Sequence, residues 1–364
     1  MNATDDISRL HLFAQRMPKV ELHIHLEGSI WPETAMALAQ RHGVSLPAES
    51  PAELQAWFRF RDFNHFVEVY LTLSHLLQTS EDFEFITVEL GRRLAQQNIR
   101  YAEVTFTAYT HLWQGKGLRP DDLIAGLDAG RQIVRERFGV ELAWVLDIPR
   151  NLSFDKDTGR YTGAASDPTV EMALDWRGRG VVALGLGGYE IGAPPEPFAE
   201  AFERARSGGL HSAPHAGEHM GPESVWGAIQ ALGAERIGHG VRAIEDPALV
   251  SYLAERQIPI ELNPTSNIRL GVFPDFQSHP LRRFWDEGVY TTVNSDDPPL
   301  FNTTLNQEYQ LLVDAFGFDV EALEQISLNA LRASFLPANR KNAMEREFLT
   351  EFAQLRQELG FPTR

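Results

Sequence analysis

Four short segments of the chain concentrate side chains that bind cations or move protons: ELHIHLEG at 21–28, HAGE at 215–218, GHG at 238–240 and NSDDP at 294–298. On an extended strand, residues two apart share a face, so the imidazoles of His23 and His25 can meet one ion. In His215-Ala-Gly-Glu218 the small residues let the chain turn, so that both His215 and Glu218 can reach one mouth. His239 stands between Gly238 and Gly240, which allow close backbone approach. In Asn294-Ser295-Asp296-Asp297-Pro298, one aspartate can hold a cation while the next meets water or substrate. Each segment alone has an ordinary structural reading, since Gly-flanked histidines occur in turns and Asp-Asp-Pro often caps a helix. Together they gather imidazoles and carboxylates into what reads as a metal centre with proton-transferring groups beside it.

Such groups need elements that bring them to one place. β-rich runs recur at 19–27, 99–106, 140–148, 181–186, 211–215, 236–239, 258–263 and 290–294, with helix-patterned stretches such as 121–137, 222–232 and 247–255 between them. Eight strands alternating with helices predict an α/β fold, a (β/α)8 TIM barrel, in which all four segments fall at strand ends where barrels carry their chemistry. Residues 30–98 read as a helical insertion after strand 1, and 305–360 as extra C-terminal helices, including 322–335 and 343–359. The aromatic run Trp57–Tyr70 reads first as core and second as a lid. The remaining histidines, His11, His42, His65, His75, His111, His211, His219 and His279, are assigned to packing or loops, with His65 and His219 kept as lid or rim candidates. No linker or repeat divides the chain, so residues 1–364 are expected to form one domain.

Composition narrows the chemistry. The 50 acidic residues against 33 basic ones give a formal charge of −17, which disfavours nucleic acid and anionic membranes as partners. With no cysteine, the chain has no disulfide, thiolate nucleophile or cysteine-bound zinc, and any metal must be held by His and carboxylates. The first residues lack the order of a signal peptide and no run is long enough to span a bilayer, so a cytoplasmic location is expected. Oligomeric state is open.

HIHLEGS, LGLGGYE, HAGE, RIGHGVR, NPTSN and VNSDDPPLF occur in that order. In these motifs, from about residue 18 to 337, the chain resembles the adenosine/adenine deaminase family of the amidohydrolase superfamily. The resemblance implies one Zn²⁺ per chain, held by His23, His25, His215 and Asp296. It implies that Glu218 protonates ring N1, that His239 activates and orients the attacking water, that Asp297 hydrogen-bonds that water and that the backbone N–H of Gly188 meets purine N3. Catalytic zinc suits such ligands and lowers the pKa of a bound water towards neutrality. Glu218 is then expected to be protonated when substrate is bound, which calls for a raised pKa, and His239 to be neutral as a base should be. VVALGLGGYE contains no lysine to bridge two ions, which agrees with a mononuclear site.

The substrate is less sharply marked. Adenosine deaminases usually have Asp where this chain has Glu27, a candidate sugar-binding residue, while adenine deaminases usually show Ser-Ser-Glu where Gly187 and Gly188 stand. The paired glycines are similar to those of aminodeoxyfutalosine deaminases and are expected to leave room for a sugar. The expectation is a small-molecule adenine nucleoside, with adenosine and aminodeoxyfutalosine both open and free adenine less favoured. The alternatives are another mononuclear amidohydrolase and a binding protein that has lost its chemistry. A phosphoester substrate would call for Arg or Lys clamps, for which Arg242 and Arg269 are the nearest candidates.

Overall fold

The computed structural model describes residues 3–60 and 63–362. Its strands are β1 (Lys19–His25), β2 (Ile99–Phe106), β3 (Glu141–Pro149), β4 (Val181–Gly187), β5 (His211–Ser212), β6 (His215–Ala216), β7 (Ile237–His239), β8 (Ile260–Leu262) and β9 (Thr291–Val293). They run β1-β2-β3-β4-β5 and β6-β7-β8-β9, with every pairing parallel. Two seams join the halves into the expected barrel. At one, Asp296 donates its N–H to the His23 carbonyl and accepts that of His25, each at 3.0 Å. At the other, the run expected at 211–215 is split into β5 and β6 around Pro214, which has no N–H to give. The path still continues, because Ala213 N–H reaches the Leu184 carbonyl at 3.0 Å and the Pro214 carbonyl accepts from Gly238 at 2.9 Å.

Helices cover the outside. The insertion folds as Pro32–His42, Pro51–Trp57, Phe63–His75 and Ser80–Gln96, and the C-terminal region as Leu305–Asp314, Val320–Ala333 and Ala338–Leu359. A helix that the sequence pattern does not announce, Ala3–Arg16, packs against this C-terminal group, with the rings of Phe13 and Phe352 6.3 Å apart. The buried Lys19 ammonium donates to the Ala14 and Met17 carbonyls at 2.8 and 2.7 Å, capping that helix from the barrel side. Burial lowers the Lys19 pKa to about 7.

The barrel interior is not wholly apolar. Arg236, 1% exposed, reaches Glu103 on β2 at 2.5 Å and Glu261 on β8 at 2.6 Å, and its guanidinium stacks 3.9 Å from the Phe335 ring centre. Both carboxylates and the aromatic face are needed to offset the desolvation of a buried cation.

Helices Ser80–Gln96 and Pro120–Phe138 pack at unusually close range because glycines line their contact. A Cβ on Gly126 would lie 2.1 Å from the Ser80 carbonyl oxygen, and one on Gly91 2.3 Å from a Val134 methyl. Alanine at a helix interior gains about 1 kcal/mol over glycine, but overpacking against backbone costs about 1–3 kcal/mol. Gly126→Ala is therefore expected to lower the urea midpoint with an unchanged m-value. A raised midpoint would show that the helix pair can separate freely.

Candidate active site

The predicted residues meet at the mouth formed by the C-terminal strand ends. His239 and Asp296 leave their strands in left-handed backbone, with φ of 58° and 65°. This geometry costs a non-glycine residue roughly 1–3 kcal/mol and is concentrated at functional sites. Nε2 of His25 lies 3.2 Å from Nε2 of His215 and 3.3 Å from Oδ1 of Asp296, while Nε2 of His23 lies 3.5 Å from the same oxygen. The ligand atoms of His23, His25 and Asp296 all fall within 4.8 Å of one another, as do those of His23, His215 and His239. Nε2 of His23 is buried with no hydrogen-bond partner. Converging imidazole nitrogens beside a carboxylate, one of them otherwise orphaned, fit a divalent metal.

Groups behind these residues fix which atom each presents. Glu261 accepts from Nδ1 of His23 at 2.9 Å, leaving the lone pair on Nε2. Ser266 donates to Oδ2 of Asp296 at 2.6 Å, leaving Oδ1 towards the imidazoles. Such outer contacts orient metal ligands and raise their basicity. Burial disfavours charge on His23, but the nearby Asp296 and Glu261 carboxylates raise its pKa to about 10. His25, buried as well, is raised to about 9 by Asp297 and Asp296. Burial pushes Asp296 up, yet the close imidazoles of His23 and His25 hold it well below the usual carboxylate range. Its neighbour Asp297 is driven well above that range by burial and by the Asp296 charge. The cluster thus demands positive charge, supplied by protons that an incoming metal must displace.

In the free site, burial pushes the Glu218 pKa up, but the neighbouring imidazoles outweigh that and bring it below the usual value. Oε1 of Glu218 lies 3.8 Å from Nε2 of His239, and Oε2 lies 3.2 Å from Nδ1 of His219. The turn that carries Glu218 is fastened by Glu190, whose carboxylate accepts from the N–H groups of Gly217, Glu218 and His219 at 3.0, 2.7 and 2.9 Å.

His239 is neutral as expected, its pKa lowered by burial. Its tautomer follows from a chain of hydrogen bonds. Leu281 N–H donates to Nδ1 of His279 at 3.2 Å, so the His279 proton sits on Nε2, 3.1 Å from Oδ1 of Asn267. The Asn267 amide nitrogen must then donate to Nδ1 of His239, at 3.2 Å. In the free site His239 therefore presents Nε2–H to the cavity. His279, read from sequence as packing, is the start of this relay; burial lowers its pKa to about 3, so it stays neutral.

A cavity of about 250 Å³ opens beside the cluster. Its inner wall includes His25, His215, Glu218, His239, Asp296, Asp297, Gly187 and Gly188, and its outer wall is largely apolar, with Phe66, Leu71, Trp113, Leu152 and Phe301. Phe66, Val67 and Tyr70 give the aromatic run its expected place over the site, whereas Arg61 and Asp62 lie outside the described residues. Among the described residues no Lys or Arg lines the cavity. Arg242 instead pairs with Glu245 at 2.7 Å. His65 packs on Trp57 and is not part of the wall, and His219 meets the site through Glu218 at 3.2 Å and through the ring of the wall residue Tyr189, 5.2 Å away.

Two substrate-binding expectations change. Glu27 is fully buried and is not part of the cavity wall; its Oε1 accepts from Thr107 N–H at 3.2 Å and pairs with Nε2 of His111 at 3.0 Å. The longer side chain turns back into the protein, and His111, read from sequence as packing, is its partner. The space above the paired glycines is also already filled. A Cβ on Gly187 would lie 2.2 Å from Oδ2 of Asp147, and one on Gly188 would lie 2.6 Å from Oδ1 of Asn151. Asn151 brackets the next residue, accepting from Tyr189 N–H at 2.8 Å and donating to its carbonyl at 3.0 Å. Gly28 plays the same part for Asp297, whose carboxyl occupies the place a Cβ would take. Asp147, in none of the motifs, lines the cavity, and burial pushes its pKa up to about 7.

The Glu261 contact yields a measurable consequence. Glu261→Gln removes the charge behind His23 while keeping its shape, and metal affinity is expected to fall about 10–100-fold. Competition against a chromophoric chelator measures it; an unchanged affinity would mean that the carboxylate does not tune the ligand.

The geometry agrees with the comparisons to known proteins. The family model described as adenosine deaminase matches residues 18–350. The chain is 40% identical over 339 residues to an aminodeoxyfutalosine deaminase of Streptomyces coelicolor, covering 92% of this chain and 85% of that protein. It is 38% identical over 337 residues to an adenine deaminase of Cupriavidus taiwanensis, covering 93% and 92%. Among solved structures, an amidohydrolase from Burkholderia ambifaria with bound Zn superposes with a TM-score of 0.85 at 29% identity, covering 99% of this chain and 96% of that one. A metal-binding (β/α)8 barrel with these motifs at its mouth thus belongs to the adenosine deaminase family, whose reaction is hydrolytic removal of an amino group from an adenine-type base.

Proposed function

We propose that the chain deaminates an adenine nucleoside with one Zn²⁺ per chain, held by His23, His25, His215 and Asp296. The observation that carries this reading is the convergence of those donors beside Glu218, His239 and Asp297 in one cavity. Bound there, the ion would polarise a water and lower its pKa.

The chain's own residues supply the rest. Glu218, ionised in the free site, accepts the proton of the attacking water and delivers it to N1, which makes C6 electrophilic; the proton remaining on the C6 hydroxyl then passes to the amino group, so that NH3 leaves as the C6 carbonyl forms. His239 donates its Nε2–H to the nucleophile's oxygen and orients it, a positioning role in place of the expected base. Asp297, held protonated, offers a donor to the water or to a ring nitrogen, whereas a carboxylate would repel such an acceptor. The N–H of Gly188 is the proposed partner of N3, in a turn fastened by Asn151.

Within the nucleosides, aminodeoxyfutalosine is favoured over adenosine. The 40% identity to an enzyme of that name supports this, as does the apolar outer wall, suited to a bulky group beyond the sugar. Free adenine is a second reading, supported by the relative from Cupriavidus taiwanensis. The absence of Lys and Arg from the described wall argues against a phosphorylated substrate.

Steady-state ammonia release from aminodeoxyfutalosine, adenosine and adenine tests the proposal, with the first expected to give the highest kcat/KM and activity on adenine alone overturning it. Glu218→Gln is expected to lower kcat about 10²–10⁴-fold with little change in KM. A variant that keeps wild-type kcat would remove Glu218 from the chemistry.

A further inference from the structure

β3 ends in a carboxylate for which the protein provides space but no partner. Asp147 is 3% exposed, lines the cavity and has no hydrogen bond or ion pair among the described residues; its Oδ1 is a buried acceptor left open. The adjacent strand is cut away to accommodate it. Asp147 pairs in register with Gly185, and a Cβ there would lie 2.9 Å from Oδ1, while one on Gly187 would lie 2.2 Å from Oδ2. The nearby Arg150 does not answer it, because its guanidinium donates to the Ala193 and His215 carbonyls at 2.9 and 2.6 Å. Asp147 also stands outside the groups of side chains that converge on a cation. Buried acceptors are rarely left unmade, and of the two oxygens Oδ2, beside the wall residue Gly187, is the one placed to accept from whatever fills the cavity.

Substrate chemistry narrows that donor. An adenine ring substituted at N9 offers acceptors at N1, N3 and N7, and its only ring-borne donor is the amino group, which must face the reacting centre. The donors left are the hydroxyls of the sugar. We propose that Asp147 is a specificity-determining residue that accepts a hydrogen bond from a sugar hydroxyl of the nucleoside. This rests on the nucleoside reading above and gives the sugar contact to Asp147, since Glu27 lies behind the wall.

The test compares metal-loaded wild type, Asp147→Ala and Asp147→Asn on adenosine, its 2′-, 3′- and 5′-deoxy forms, and adenine. Wild type is expected to favour adenosine over one deoxy form by about tenfold or more in kcat/KM, roughly what one buried hydrogen bond to a charged group provides. In Asp147→Ala that preference should collapse to near unity through KM, with Asp147→Asn, which keeps an acceptor oxygen, in between. Thermal unfolding of both variants should match or exceed wild type, because an unpaired buried carboxylate is removed; a purely structural role would lower it. A wild-type preference that survives intact in Asp147→Ala overturns the proposal and leaves the nucleoside reading standing. Turnover of adenine alone by wild type overturns both, and is seen without any variant.

Discussion

Arg236 holds the barrel together at the level just beneath the site. Its guanidinium lies inside the barrel, joined to Glu103 on one side and Glu261 on the other, with Phe335 across its face. Glu261 is thereby occupied at Oε1 and free to receive His23 at Oε2. A buried cation that lost one of these partners would be left unsatisfied at a cost of several kcal/mol, so β2, β8 and the residue leading into β7 are tied to one another and to the imidazole of His23. The position of His23 is consequently set from the barrel interior as much as from β1.

The charge pattern above that level has a consistent logic. Asp296 is kept ionised by the histidines, and its charge in turn keeps Asp297 protonated. Adjacent carboxyl groups with pKa values pushed apart can then serve as a ligand and a hydrogen-bond donor. Beside them, His239 is a neutral imidazole whose Nε2–H is fixed by Asn267 and His279, and Glu218 lies 3.8 Å from it with its pKa held below the usual value.

Recognition shows the same economy of means. Gly28, Gly187 and Gly188 are placed where a neighbouring strand or loop must insert a polar side chain, respectively Asp297, Asp147 and Asn151. Glycine in these motifs provides room for the protein's own polar groups, and those groups, rather than the vacated space, line the cavity. The apolar outer wall adds area without adding charge.

The sequence by itself determined the parts that depend on local rules. Period-2 spacing put His23 and His25 on one face, strand and helix alternation required a parallel barrel, and the HAGE, GHG and NSDDP segments fell at strand ends. Helix signals such as Pro222 and Pro247 located the start of their helices. Only the tertiary structure decided what depends on partners far apart in the chain. Glu27 has a local pattern that suggests a sugar ligand, but His111, 84 residues away, encloses it. Asp147 sits in an ordinary strand and gains meaning only beside glycines on β4. His279 becomes part of the site through Asn267, and the Glu218 pKa is set by its burial and by imidazoles from other segments that converge on it. Burial and long-range charge set these properties, and neither can be read from a residue's neighbours in sequence.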